Sequence, residues 1–500
     1  MKRKLATNTV ASLLLEIVSL VCAFILPRLV ISNYGSEYNG IVSSVTNFLA
    51  FITLLRGGVG GVTRAAMYKP LAEQNMAKLS GIVNATECFM RKIAYVFAVF
   101  LICFGLIYPL VISEQFGYLF VFSVVLILGI STFAQYYYGI TYQMLLQADQ
   151  RNYVYAVLQT IAVLTNTILS VLLINGGVEF RMMKLVSSLV FCITPIGLYL
   201  YVRHTYELDR SAEPDHSALS QRWDAFAHQV AAFVNTNTDI IVLTLFANLR
   251  YVSIYTVYFM VANGIKKFVQ IAFSSVEAML GNIIARGQKE TLRIGLDIFE
   301  WSIHLISTIA FSCTAVLIVP FVKIYTSGIT DANYIQPLFG YLLSAALFIS
   351  CIRLPYQNII EAAGHFRQTR NGAIEEAVIN ILVSVVLTRY FNLVGVTVGT
   401  IIAVGYRTIQ YAVYASKNII GRPLYVFIYR LLVSTVNIAA NIIVYTVINT
   451  FVALTPDSGY MAWFINALIT GCSITIVSII INMVAFPRVI KNLLHKTWQS

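Results

Sequence analysis

About fourteen apolar stretches of helical length follow one another through all 500 residues. The longest polar gaps, Met67 to Arg91 and His204 to Trp223, are too short to hold an independent core. Composition agrees, with 58% hydrophobic residues, 11% charged residues and a mean hydropathy of +0.76. A water-soluble domain of that composition would expose large apolar patches and aggregate. The chain is therefore expected to be an all-α polytopic membrane protein. Its working groups are then polar residues inside the spans or in the short loops beside them.

The spans are placed near Val10–Ile31, Gly40–Gly60, Ile93–Ile112, Tyr118–Tyr138, Val154–Ile174 and Met183–Val202. A second set falls near Phe226–Phe246, Ser253–Ser274, Ile298–Pro320, Leu338–Ile359, Gly372–Val386 and Leu393–Ala412. Arg430–Phe451 and Met461–Phe486 complete the series. The second set matches the first when displaced by about 214 positions, a period of the kind seen in repeat-built transporters. Tyr142-Gln143 then meets Tyr356-Gln357, Asn166 meets Asn380, and Ser170-Val171 meets Ser384-Val385. Two six-span halves, 1–210 and 211–420, followed by a two-span segment, 421–500, are the expected organisation. Halves with an even number of spans share one orientation, so they would face each other as two like-oriented bundles around a central cavity.

The net charge of +12 would suggest nucleic acid in a soluble protein. In a polytopic one the positive-inside rule explains it first. With Lys2, Arg3 and Lys4 placed in the cytoplasm and sides alternating, the inner face collects 23 Lys and Arg against 6 outside. Both termini are then cytoplasmic. Arg56, Lys266, Lys267, Arg353 and Arg407 remain, all within or near spans. The seven cysteines are scattered without a Cys-x-x-Cys, and the six histidines form no ligand spacing with them. Neither a metal site nor a disulfide framework is expected.

Several local motifs accompany this plan. Pro27-Arg28 precedes Tyr34-Gly35-Ser36-Glu37-Tyr38-Asn39-Gly40; then come Gly57-Gly58-Val59-Gly60-Gly61 and Tyr68-Lys69-Pro70-Leu71-Ala72. Asp239-Ile240-Ile241 followed by Ser253-Ile254-Tyr255 opens the second half. With the 6+6+2 plan, these residues make the chain resemble the polysaccharide-exporting flippases of the multidrug/oligosaccharidyl-lipid/polysaccharide superfamily. In that family an acidic residue is expected where Arg56 stands. The resemblance implies movement of a polyprenyl-diphosphate-linked oligosaccharide from the inner to the outer leaflet of a bacterial cytoplasmic membrane. It implies membrane lipids and a polysaccharide polymerase or glycosyltransferases as neighbours, and no cofactor beyond a coupling proton or sodium ion.

The physics is compatible, because each unsatisfied polar group of a glycan costs several kcal/mol in hydrocarbon, on the order of 2–7. A wet cationic cavity lowers that barrier while the polyprenyl tail stays in lipid. Lys266 and Lys267 sit deep in a span, where one lysine costs about 2.5–3.5 kcal/mol. Either one of them faces a cavity and binds diphosphate, or the span ends near Ile265 and both snorkel to the interface. Arg353 reaches the same cavity or pairs with Glu361 or another acid. Arg28 binds headgroup late in transport or anchors to lipid phosphates. Arg56 and Arg64 flank the glycine run, which permits close helix approach, and Arg407 belongs to packing. Glu16 and Asp239, in paired spans, either couple an ion or neutralise an arginine. Glu375-Glu376 reads as a helix N-terminus at the cytoplasmic surface, and Tyr136-Tyr137-Tyr138 as an interfacial belt at the end of its span.

Two other readings compete. A proton- or sodium-coupled multidrug antiporter of the same superfamily would need fewer cavity cations and more acids. A membrane glycosyltransferase or polysaccharide polymerase would need acids or histidines gathered on a large loop. No such cluster is visible, so no catalytic residue is assigned and no enzyme is expected.

Overall fold

A computed structural model describes residues 2–56, 59–112, 115–215, 226–273, 276–451 and 459–491. Gly57, Gly58, Arg222, Trp223, Ser274 and Lys496, to which the sequence reading gives places, lie outside the described residues, as do the side chains of Lys2, Arg3, Lys4 and Lys289. All regular structure among the described residues is helical. This is the outcome hydrocarbon imposes, since a helix satisfies its own backbone groups. Eleven described helices are long and apolar enough to cross a membrane.

The chain divides into two compact units, Met1–Ile241 and Val242–Ser500. The first contains α1 (Lys2–Tyr34), α2 (Ser36–Leu49), α3 (Ile52–Arg56), α4 (Val59–Ala72) and α5 (Met76–Val111). It continues with α6 (Tyr118–Ala134), α7 (Ile140–Ala148), α8 (Tyr153–Asn175), α9 (Phe180–Phe191) and α10 (Ile193–Thr205). A π-helical turn, Gln135–Gly139, joins α6 to α7 in one continuous span. The three tyrosines therefore do not end their span. Tyr136 is buried, and Tyr137 lies under the Arg91 guanidinium at 4.9 Å. Helix α5 is also longer than its apolar window. Its 36 residues measure about 54 Å, well beyond a ~30 Å hydrocarbon core.

The polar end of α5 is strapped by the segment that follows α10. Asn84 donates to the carbonyls of Asp209 and Ala212 at 3.0 Å, and the Asp209 N–H donates to Ser80 Oγ at 3.0 Å. Gly81 lets this strap approach, because a Cβ there would stand 2.9 Å from the Glu213 carbonyl oxygen. Within the strap, the Ser211 hydroxyl and backbone N–H hold the Asp209 carboxyl below its ordinary value.

Helix α11 (Phe226–Phe246) runs from the first unit into the second. The second unit contains α12 (Leu249–Ala272), α13 (Val276–Ala285), α14 (Lys289–Tyr325), α15 (Pro337–Ile352), α16 (Leu354–Ala362) and α17 (Phe366–Ala415). Two further helices, α18 (Tyr425–Phe451) and α19 (Gly459–Ala485), close the chain and pack against α14. Helix α17 is two arms, broken at Asn392 where φ is 46° and ψ is −118°. Counting those arms separately and adding α11 and α12 gives the fourteen expected spans.

The arms of α17 meet where side chains are small. Asn380 donates to Thr400 Oγ1 at 3.3 Å and Ser384 to the Val396 carbonyl at 3.3 Å. A Cβ on Gly399 would lie 2.8 Å from the Ser384 backbone nitrogen, so only glycine admits this approach. Gly399→Ala is expected to cost about 1–3 kcal/mol by forcing the arms apart. Gly405→Ala, whose Cβ would meet nothing within 4 Å, should be neutral or slightly stabilising. Thermal unfolding of the two variants in detergent, side by side, checks the pair.

A polar seam fixes α18 and α19. Asn441 donates to Ser312 Oγ and Ser478 Oγ, both at 3.1 Å, and Ser478 donates to Asn437 Oδ1 at 3.0 Å. Such inter-helix bonds are worth about 0.6–2 kcal/mol each where lipid offers no alternative partner.

Candidate functional site

The second unit brings several charges together inside its helices. Arg353 occupies the joint between α15 and α16, where it caps both. Its Nη1 donates to Glu376 Oε1 at 2.8 Å. The other carboxylate oxygen, Oε2, faces Arg407 Nε at 3.8 Å. Arg407 is 1% exposed; its Nη2 donates to the Thr369 carbonyl and to Tyr411 Oη, both at 2.9 Å, and its Nη1 donates to Gln410. Gly372 makes room for this, since a Cβ there would fall 2.1 Å from Arg407 Nη1.

One sequence expectation changes here, and the open choice of an acid for Arg353 narrows to one. Glu376 does not begin a helix at a surface: α17 starts at Phe366, ten residues earlier, and Glu376 is buried. Arg353 pairs with Glu376 and not with Glu361, which accepts from Gln357 Nε2 at 2.8 Å. Arg407 is packed, as expected, but it is also the second cation of that carboxylate.

The two lysines part company. Helix α12 continues without a break to Ala272, so both lysines stand on regular helix. Lys266 is half-buried and within electrostatic reach of Arg353 and Glu376, whereas Lys267 is exposed. Adjacent helical residues point about 100° apart, which is why one lysine joins the cluster and its neighbour does not.

A second charge cluster escapes sequence reasoning. Glu300 of α14 is fully buried and accepts from both Arg422 Nη2 and Arg430 Nη1. Asp297 Oδ1 accepts from the same two residues, at 3.1 Å from Arg422 and 2.9 Å from Arg430. The charge count along the sequence places these arginines among the inner-face cations without giving them partners; each is buried and paired with Glu300 and Asp297. The available signal is Asp297 and Glu300 at a spacing of three, which puts two acids on one face of α14 where its apolar stretch begins.

The remaining candidates belong to the first unit. Arg56 ends α3, half-buried, with its Nε lacking a hydrogen-bond partner among the described residues. Gly60 lets its guanidinium fold back, a Cβ there standing 3.0 Å from Nη2. Arg28 is half-buried in α1, one residue beyond Pro27. Glu16 is exposed on the same helix, near Tyr155 of α8. Asp239 is buried in α11. A cavity of about 540 Å³ opens at the strapped end of α5, lined by Arg91, Lys92, Tyr95, Tyr137 and Arg210. Arg91 pairs there with Glu87, which also accepts from Tyr142 Oη at 3.2 Å. No group of three metal-ligating side chains occurs among the described residues.

This arrangement of helices has solved counterparts. The lipid II flippase MurJ, in an inward closed conformation, is similar over 97% of this chain and 99% of its own, with a TM-score of 0.70 and 15% identity. The two chains share one fold. An inward-facing multidrug resistance MATE family transporter of the MOP superfamily matches over 80% of this chain and 98% of its own, with a TM-score of 0.59 and 12% identity. The MATE multidrug transporter DinF-BH has a TM-score of 0.55 and 14% identity over 84% of this chain and 96% of its own. No family model matches the sequence, and no curated protein does. The MurJ-like fold thus accounts for nearly the whole chain.

Proposed function

We propose that the protein is a flippase that moves a polyprenyl-diphosphate-linked oligosaccharide from the inner to the outer leaflet of a bacterial cytoplasmic membrane. Two like-oriented halves, 1–210 and 211–420, would alternate access around a cationic cavity, with both termini cytoplasmic. The observation that carries this reading is Lys266, half-buried on α12 beside Arg353. Three cations, Lys266, Arg353 and Arg407, surround the single carboxylate of Glu376, which favours an anionic cargo over a cationic drug. Arg28 and Arg56 would supply further contacts to diphosphate or glycan. Glu16 and Asp239 are the candidates for proton or sodium coupling. The similarity to a flippase for lipid II supports a lipid-linked cargo. A duplication is supported by Tyr142 and Tyr356, both buried and both beside a carboxylate, Glu87 and Glu300. A polysaccharide polymerase or glycosyltransferases of the same pathway would be its working neighbours.

Equilibrium binding tests this reading. A fluorescent polyprenyl diphosphate should bind the detergent-solubilised protein and be displaced by inorganic pyrophosphate but not by a cationic dye. Displacement by the dye alone would make the protein a multidrug antiporter.

A further inference from the structure

Glu376 lies between two arginines that are held very differently. Arg407 is immobilised by Thr369, Tyr411 and Gln410, with its guanidinium 4.0 Å from the Tyr411 ring centroid. The Arg353 side chain makes one hydrogen bond among the described residues, through Nη1 to Glu376, and its buried Nε makes none. That side chain is 18% exposed, against 1% for Arg407. One arginine is part of the scaffold and the other is a tethered but under-coordinated cation. Lys266 stands close by and forms no ion pair among the described residues.

We propose that Glu376 is a resident counter-ion that anionic cargo displaces from Arg353. In the empty protein Glu376 Oε1 neutralises Arg353; when a diphosphate arrives, its oxygens take over Arg353 and are joined by Lys266. A buried charge stripped of its partner is strongly unfavourable. The exchange avoids that on both sides. Arg353 always faces an anion, and Glu376 keeps Arg407 at its second oxygen throughout. Three cations and one carboxylate leave two positive charges, which suits a group carrying about two negative ones. The counter-ion also answers the general need of a transport site, that binding be favourable enough to enter and weak enough to leave. The returning carboxylate competes with bound cargo and so assists its release. This inference rests on Lys266 and Arg353 forming the cargo site.

The test uses the full-length protein and farnesyl diphosphate as probe, with calorimetric binding in detergent and initial translocation rates in proteoliposomes. Glu376→Gln removes the competing charge and is expected to bind the probe about tenfold tighter, a 1.4 kcal/mol difference, and to translocate lipid-linked cargo more slowly. Glu376→Asp guards against a failure to fold: it keeps a charge for Arg407 but shortens the reach to Arg353, and should bind about threefold tighter. Equal or weaker binding by the folded variants, while Arg353→Gln still weakens binding, overturns the counter-ion and leaves the cargo site standing. Unchanged binding in both Arg353→Gln and Lys266→Gln overturns the cargo site and this inference with it.

Discussion

Replacing Glu300 with alanine is expected to destabilise the protein by about 3–5 kcal/mol and to loosen α18 from α14. The size follows from what would be left behind. Arg422 and Arg430 are each 3% exposed at the side chain, and Glu300 accepts from both. Without it, two buried guanidiniums would share Asp297, whose side chain is 38% exposed and therefore partly screened. Asp297→Ala should cost distinctly less for the same reason. The effect is one of stranded charge and not of lost attraction, so a compensated variant separates the two. Glu300→Leu combined with Arg422→Met and Arg430→Met should recover most of the stability, because apolar residues of similar volume replace a buried ion cluster at little cost. Thermal unfolding in detergent measures all three. A Glu300→Ala melting point unchanged from wild type would contradict the buried cluster.

Lys266→Gln should reduce cargo translocation at least tenfold, about 1.4 kcal/mol of lost stabilisation, while Lys267→Gln stays within about twofold. The two substitutions remove the same charge from adjacent positions, so membrane insertion and net charge are matched. What differs is environment: Lys266 is half-buried beside Arg353 and Glu376, and Lys267 is exposed. Initial rates against cargo concentration read the effect as a fall in kcat/KM. Equal losses from both variants would point to general electrostatics near the membrane surface instead of a site.

Much of the fold is legible in the sequence because hydrocarbon thickness writes itself into apolar length. The spans read from hydropathy leave a break between Val386 and Leu393, and the break in α17 falls at Asn392. The polar extensions of α5 and α14 are not legible, since helix outside hydrocarbon leaves no hydropathy signal. The site is legible only as a set of suspects. Hydropathy weighs each charge alone and cannot say that Arg353 meets Glu376, 23 residues away, or that Arg430 meets Glu300 across 130. Those pairings are products of helix packing. Lys266 is identifiable as out of place in a span, but its separation from Lys267 requires the helix to be seen continuing to Ala272.

The central claim is that an anionic lipid-linked glycan is the cargo. Translocation in proteoliposomes of a fluorescent polyprenyl-diphosphate oligosaccharide, with a cationic dye as control cargo, tests it most directly. The glycolipid is expected to cross and the dye is not. Movement of the dye with the glycolipid left in its original leaflet would contradict it.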